Sequence, residues 1–254
     1  MGSAKTTSGM KGSSAYPLAY VTTDVVLFTI HQDELQVVLI ERDEAPAGMA
    51  LPGGFLKPDE DLKRCALREL EEETGIRLKP DELEQLGSYG APDRDPRYAN
   101  RPNERVVTVA YWGIIPDLPT PKGGSDARRA MLHPVSKLEK RRPTRLAFDH
   151  NEIVRDALLR TRAKIEYETV ATRFCEEEVT LKDLRKVYAI IWGCELEDLD
   201  AANFKRKVAP DKSDQFVIAL DKYRSESVGR PAELYRAGKG TKIDPPLTLP
   251  RPRN

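Results

Sequence analysis

Glu69, Glu72 and Glu73 are spaced i, i+3 and i+4, which puts three carboxylates on one face of a helix. Residues 59–84 hold ten acidic side chains against five basic ones, so several acids have no cation one turn away. A divalent cation relieves that repulsion. Oxygen-only ligands suit Mg²⁺ or Mn²⁺, which bridge a diphosphate and polarise it toward attack by water. The same three glutamates also describe a solvated acidic face, and the spacing alone leaves both readings open.

Two further groups of side chains carry chemistry. Arg94-Asp95-Pro96-Arg97 places two arginines around Asp-Pro, an arrangement that either grips a pyrophosphate bidentately or is an ordinary solvated turn. Asn203, Lys205, Arg206 and Lys207 crowd one short segment that Phe204 and Val208 can anchor by an i, i+4 apolar pair. Asparagine bonds adenine bidentately, arginine does the same for guanine, and lysine neutralises phosphates. Residues 203–242 carry ten Lys/Arg against five Asp/Glu. Arg230, between Gly229 and Pro231, suits a phosphate or minor-groove contact, or is an exposed turn residue.

The elements that must position these residues are legible in the hydrophobic pattern. Val21 to Ile30 and Leu35 to Arg42 read as strands joined by a polar four-residue loop, His31 to Glu34. From Asp61 to Thr74, Leu62, Ala66, Leu67 and Leu70 recur at helical spacing, and Gly75 stands at the stop position. Arg105 to Ile115 is a further strand, preceded by an irregular loop from Pro92 to Asn103. Composition turns to Pro, Gly, Lys and Arg between Leu118 and Arg145, which marks a domain junction, and Asp149 to Arg162 follows with an apolar helical stripe. Thr180 caps a helix with Asp183 at the capping-box position and Gly193 as its stop. A second, basic helix spans Ala201 to Ala209, and Phe216 to Leu220 with Ala232 to Arg236 form a hairpin. Helix, turn, helix and hairpin in that order is the plan of a winged helix.

The chain has 254 residues, enough for two domains. Its 41 Lys+Arg balance 41 Asp+Glu, which argues against a uniformly basic nucleic-acid coat protein but permits segregation of charge. Cys65, Cys175 and Cys194 form no CxxC motif, and their number fits a reducing cytoplasm. No apolar run approaches the roughly 20 residues of a membrane span, so no membrane association is expected. The first sixteen residues, rich in Gly, Ser, Thr and Lys, read as a disordered arm, and 244–254, with four prolines, as a flexible tail.

Gly54, five residues, Glu60, seven residues, then Arg68-Glu69-Leu70-Glu71-Glu72-Glu73-Thr74-Gly75-Ile76 resembles the Nudix box at every defined position. The resemblance implies an α/β/α sandwich over residues 17–145 in which Glu69, Glu72 and Glu73 ligate metal and Arg68 orients a glutamate. It also implies that Glu60 supports the arrangement and that Gly54 lets backbone approach a phosphate. Catalytic weight falls on Glu69 and Glu73 with Arg68 and Glu60. The Arg94-Asp95-Pro96-Arg97 segment is similar to one in Nudix proteins that handle ADP-ribose, with Tyr98 to Glu104 as an insertion.

The order of parts from Leu146-Ala147-Phe148-Asp149-His150, through a connecting helix (146–165), to a winged helix (166–243) resembles the Nudix-related transcriptional regulators of NAD metabolism. That likeness implies an α+β chain that forms a homodimer and represses genes of NAD synthesis or salvage at a palindromic double-stranded operator. ADP-ribose or a related nucleotide would bind at Gly54, Arg94, Asp95, Arg97 and His150 and release DNA held by Asn203, Lys205, Arg206, Lys207 and Arg230. His150 is equally a helix-start polar residue. An intact box leaves ADP-ribose hydrolysis with Mg²⁺ possible, as a rival or a second activity.

Overall fold

A computed structural model describes residues 16–116, 118, 130–210, 216–225 and 230–248. The N-terminal half is a mixed sheet of β1 (Leu18–His31), β2 (Glu34–Arg42), β3 (Gly48–Ala50), β4 (Gly53–Phe55), β5 (Leu83–Tyr89), β6 (Glu104–Ile114) and β7 (Ala130–Pro134). The order β3-β2-β1-β6-β5 is extended by β4 on β1 and β7 on β2, and β1 with β6 is the parallel pair at the centre. Alternation along β1 divides the core between two faces. Val25 and Leu27 pack with Ala66 and Leu70 of α1 (Leu62–Thr74), while Val26 and Phe28 join Ile153, Ala157 and Leu158 of α2 (His150–Tyr167) on the other side. Helices on both faces make the α/β/α sandwich.

Local signals set the helix ends. Asp61 caps α1 by accepting from Arg64 N, and Gly75 ends it at φ 74°, where glycine alone avoids a Cβ penalty. Thr180 and Asp183 close a reciprocal capping box on α3 (Leu181–Trp192), which ends at Gly193 with φ 68°. Then come α4 (Ala201–Val208) and a three-stranded wing sheet in the order β8 (Val179–Thr180), β10 (Ala232–Ala237), β9 (Val217–Arg224). The molecule is thus an α/β/α sandwich followed by a winged helix.

Four differences from the sequence reading have physical causes. The expected four-residue loop after β1 is a tight turn in which Gln32 and Asp33 both take positive φ, 51° and 62°, so pairing extends to His31–Glu34. Strands β3, β4, β5 and β7 escape the pattern because two are three residues long, β5 is polar, and β7 lies in the segment read as a junction. The supposed junction does not separate two cores: one buried apolar cluster runs from Val26 and Phe28 through Ile153, Leu158 and Ile165 to Leu184, Tyr188 and Phe204. Finally, the expected flexible tail is attached at Pro246 and Leu247, with Leu247 buried and its N–H donating to Glu166 O at 2.9 Å. Residues 1–15, Gly229 and 249–254 lie outside the described residues.

Candidate nucleotide site and nucleic-acid interface

Strand β4 delivers Gly53 and Gly54 to the C-terminal half of α1, and the two glycines are there because nothing larger fits. A Cβ on Gly53 would stand 2.2 Å from Thr23 O, and one on Gly54 would stand 2.3 Å from the Glu69 carboxylate. Gly53 N–H donates to Glu73 Oε2 at 2.9 Å. Arg68 is the hub of the acidic face. Its Nε donates to Glu60 Oε2 at 2.9 Å, and Nη1 reaches Glu69 Oε1 at 2.7 Å and Glu72 Oε2 at 3.0 Å. These bonds from Arg68 hold the Glu60 carboxyl down at about 2. The repulsion inferred from sequence is therefore answered in part by one guanidinium, and Arg68 holds three glutamates where the resemblance implies one.

Glu69 and Glu73 open onto a cavity of about 520 Å³ whose other walls include Asp24, Arg94, Arg97, Phe148 and His150. This is within the range of small-molecule sites. Glu72 is turned away, half-exposed, between Arg68 and Lys57. Among the described residues no three His, Cys, Asp or Glu side chains converge as a ready metal cluster. Two hard carboxylate donors beside a glycine cradle still match the chemistry of an oxygen-seeking cation.

The arginines of the Arg94–Arg97 segment have different fates. Arg94 is buried, and its Nε and Nη2 fork onto Asp149 at 2.9 and 2.8 Å, with Asp24 at 3.4 Å. It joins the β5–β6 connection to the N-terminus of α2. Asp95 is also buried, accepting from Arg97 N at 3.0 Å and from Arg97 Nη2 at 2.7 Å. Burial pushes its carboxyl up, yet the Arg97 bonds outweigh this and hold it below the usual range. Arg97 is half-exposed and lies over two rings, Phe148 at 5.2 Å and Phe55 at 5.9 Å. Arg42 covers Phe148 as well, at 5.2 Å. Phe148 holds φ at 55°, a left-handed conformation that costs a bulky residue strain and clusters at ligand sites. Rings and guanidinium planes together offer a stacking surface for a planar heterocycle.

His150 is buried, and burial pushes its imidazole down. Leu51 N–H donates to Nδ1 at 2.8 Å, which assigns the proton to Nε2, facing Asp24 Oδ1 at 3.5 Å. His150 thus lines the cavity and ties β4's approach to α2 at once. Asp24, Asp149, Phe148, Arg42 and Phe55 were not among the expected site residues. Asp24 carried a signal: it is the one carboxylate of β1 and directly precedes the apolar run Val25-Val26-Leu27-Phe28, and a buried carboxylate is rarely unpaired.

In the C-terminal unit, Asp200 caps α4 by accepting from Asn203 N at 2.7 Å, while Phe204 and Val208 bury the inner face. Asn203, Lys205 and Arg206 are exposed, with Arg206 Nη2 donating to Asn203 Oδ1 at 2.7 Å. Lys207 differs. It is half-buried and its Nζ donates to Pro246 O at 2.7 Å. Arg230 is exposed just before β10. The chemistry-bearing residues thus fall into two sets, one around the cavity and one on α4 and the wing.

Comparison with known proteins matches the two parts of the chain to two different family models. The NUDIX domain profile matches residues 21–157, and the NrtR DNA-binding winged helix domain profile matches 171–237. The chain is 32% identical over 235 residues to the ADPR responsive transcriptional repressor NtrR of Acinetobacter baylyi, spanning 88% of this chain and 84% of that protein. It is 34% identical over 141 residues to an ADP-ribose pyrophosphatase of Methanocaldococcus jannaschii, 54% of this chain and 74% of that one. Among solved structures, Shewanella oneidensis NrtR complexed with a 27mer DNA superposes with a TM-score of 0.71 at 28% identity, covering 90% of this chain and 99% of that one. The chain belongs to the Nudix family, in the branch that joins a Nudix domain to an NrtR-type DNA-binding winged helix.

Proposed function

We propose that this protein is a homodimeric repressor of NAD synthesis or salvage genes. Its Nudix domain takes up ADP-ribose or a related NAD-derived nucleotide, and that uptake releases a palindromic operator. The carrying observation is the union, through the single helix α2, of an acid- and arginine-lined cavity with a basic, outward-facing α4. In this reading residues 17–145 bind nucleotide, 146–165 connect, and 166–243 bind DNA. Phe148 and Arg97 stack on the base, Gly54 admits the diphosphate, and Asn203, Arg206 and Lys205 meet base edges and phosphates. Arg94, Asp95 and His150 act from behind, by fixing Arg97 and the start of α2. Fluorescence anisotropy on promoter duplexes of NAD-synthesis genes, with and without ADP-ribose, tests the reading. Absence of binding at moderate salt, or binding unaffected by Arg206→Ala, overturns it. The nucleotide should weaken DNA binding by the same factor that DNA weakens nucleotide binding.

A second reading, ADP-ribose hydrolysis, is favoured by the cavity-facing Glu69 and Glu73. These two residues would hold Mg²⁺ or Mn²⁺, which when bound polarises the diphosphate, whereas Glu72, expected as a third ligand, faces Arg68 and Lys57. Arg68 orients Glu69 and Glu72 by hydrogen bonds, and Gly53 N–H does the same for Glu73. Release of AMP and ribose 5-phosphate with Mg²⁺, abolished in Glu73→Gln, is the expected sign of this activity; an inert wild type excludes it.

A further inference from the structure

Lys207 stands among the cations of α4, yet its ammonium points back into the protein, to the carbonyl of Pro246 at 2.7 Å. Pro246 belongs to a segment, residues 238–248, that leaves the wing and crosses to the far end of α2. Thr169 Oγ1 donates to Gly240 O at 2.8 Å, Ile243 N–H to Tyr167 O at 2.8 Å, and Leu247 N–H to Glu166 O at 2.9 Å. The last two bonds satisfy carbonyls at the C-terminal end of α2 that a helix cannot satisfy itself. Ile243 and Leu247 are buried in the cluster that also contains Ile165, Phe204 and Val208. Among the described residues, Asn203, Lys205 and Arg206 have no such attachment to this segment.

We propose that the 238–248 segment is a strap fixing the recognition helix against α2, and that Lys207 is its anchor, a positioning residue rather than a phosphate contact. The inference rests on the DNA-binding reading above. Each lysine neutralising a DNA phosphate adds roughly one to the slope of log affinity against log salt, whereas an anchor contributes affinity without contributing to that slope.

The test uses the full chain and a labelled duplex selected from randomised DNA by the wild type. Lys207→Met should weaken binding roughly tenfold with an unchanged salt slope, and Lys207→Arg, which can still donate to the carbonyl, should restore it. Lys205→Met should lower the slope by about one. Leu247→Ala, which cannot reach DNA, should weaken binding as Lys207→Met does, at an unchanged slope. A slope lowered by about one in Lys207→Met, or wild-type affinity in Leu247→Ala, overturns the strap. A wild type that selects no duplex removes the DNA-binding reading and the strap with it, an outcome distinct from the other two.

Discussion

The cavity and helix α4 both carry arginine or lysine, but they use them in opposite ways. Around the cavity, Arg68, Arg94 and Arg97 each grip carboxylates of the chain itself at 2.7–3.0 Å. On α4, Lys205 and Arg206 are exposed and form no ion pair among the described residues. A buried guanidinium without a counter-charge is prohibitively costly, so Arg94 is held by the chain's own carboxylates before any ligand arrives. An exposed cation is solvated at little cost and remains available to a polyanion whose counterions it can displace. Paired charge lines the cavity, and unpaired charge lines the exposed face of α4 among the described residues.

Breaking the comparison at its strongest point means removing Arg94. Because Arg94→Met leaves the buried Asp24 and the part-buried Asp149 without their partner, denaturant unfolding should show a loss of about 3 kcal/mol. A variant of near wild-type stability that has lost nucleotide affinity would instead make Arg94 a direct ligand. On the opposite side, Arg206→Met should change stability by no more than about 0.5 kcal/mol yet cost about 1–3 kcal/mol in operator affinity if it reads a base. Equal losses in both assays would erase the distinction.

A smaller effect sharpens the same contrast through pH. Burial depresses His150, while its neighbours Asp24 and Asp149 oppose that and Arg94 and Arg42 reinforce it. The unfolded chain therefore takes up the proton first as pH falls below about 6.5. Stability from this residue is complete above that pH and declines below it, by at most about 1.4 kcal/mol per pH unit. His150→Gln should flatten that part of the profile. His133, also depressed by burial, contributes with the same sign and remains in the variant as a control. The smallest effect expected is for Glu72→Gln: Glu72 is exposed and shares Arg68 with two other carboxylates, so unfolding should shift by less than about 1 kcal/mol. A larger loss would mean that the acidic face depends on all of its members.

What the sequence determined by itself is local. The box from Gly54 to Ile76 lies within one strand-loop-helix unit, so spacing alone aligns its carboxylates and Arg68. The caps at Asp61, Gly75, Thr180 and Gly193 act within a few residues of their partners, and the opposed charges of the two units follow from composition. Tertiary structure decided what long-range pairing controls. Arg94 finds Asp149 across 55 positions, Leu51 N–H finds His150 across 99, and Lys207 finds Pro246 across 39. No periodicity announces such pairs, because burial creates the demand for a partner and only the folded chain brings one within reach. For that reason two arginines that read alike in one tetrapeptide became a structural clamp and a ring-stacked wall of the cavity. A lysine in a basic run likewise became the anchor point of the chain's C-terminal segment.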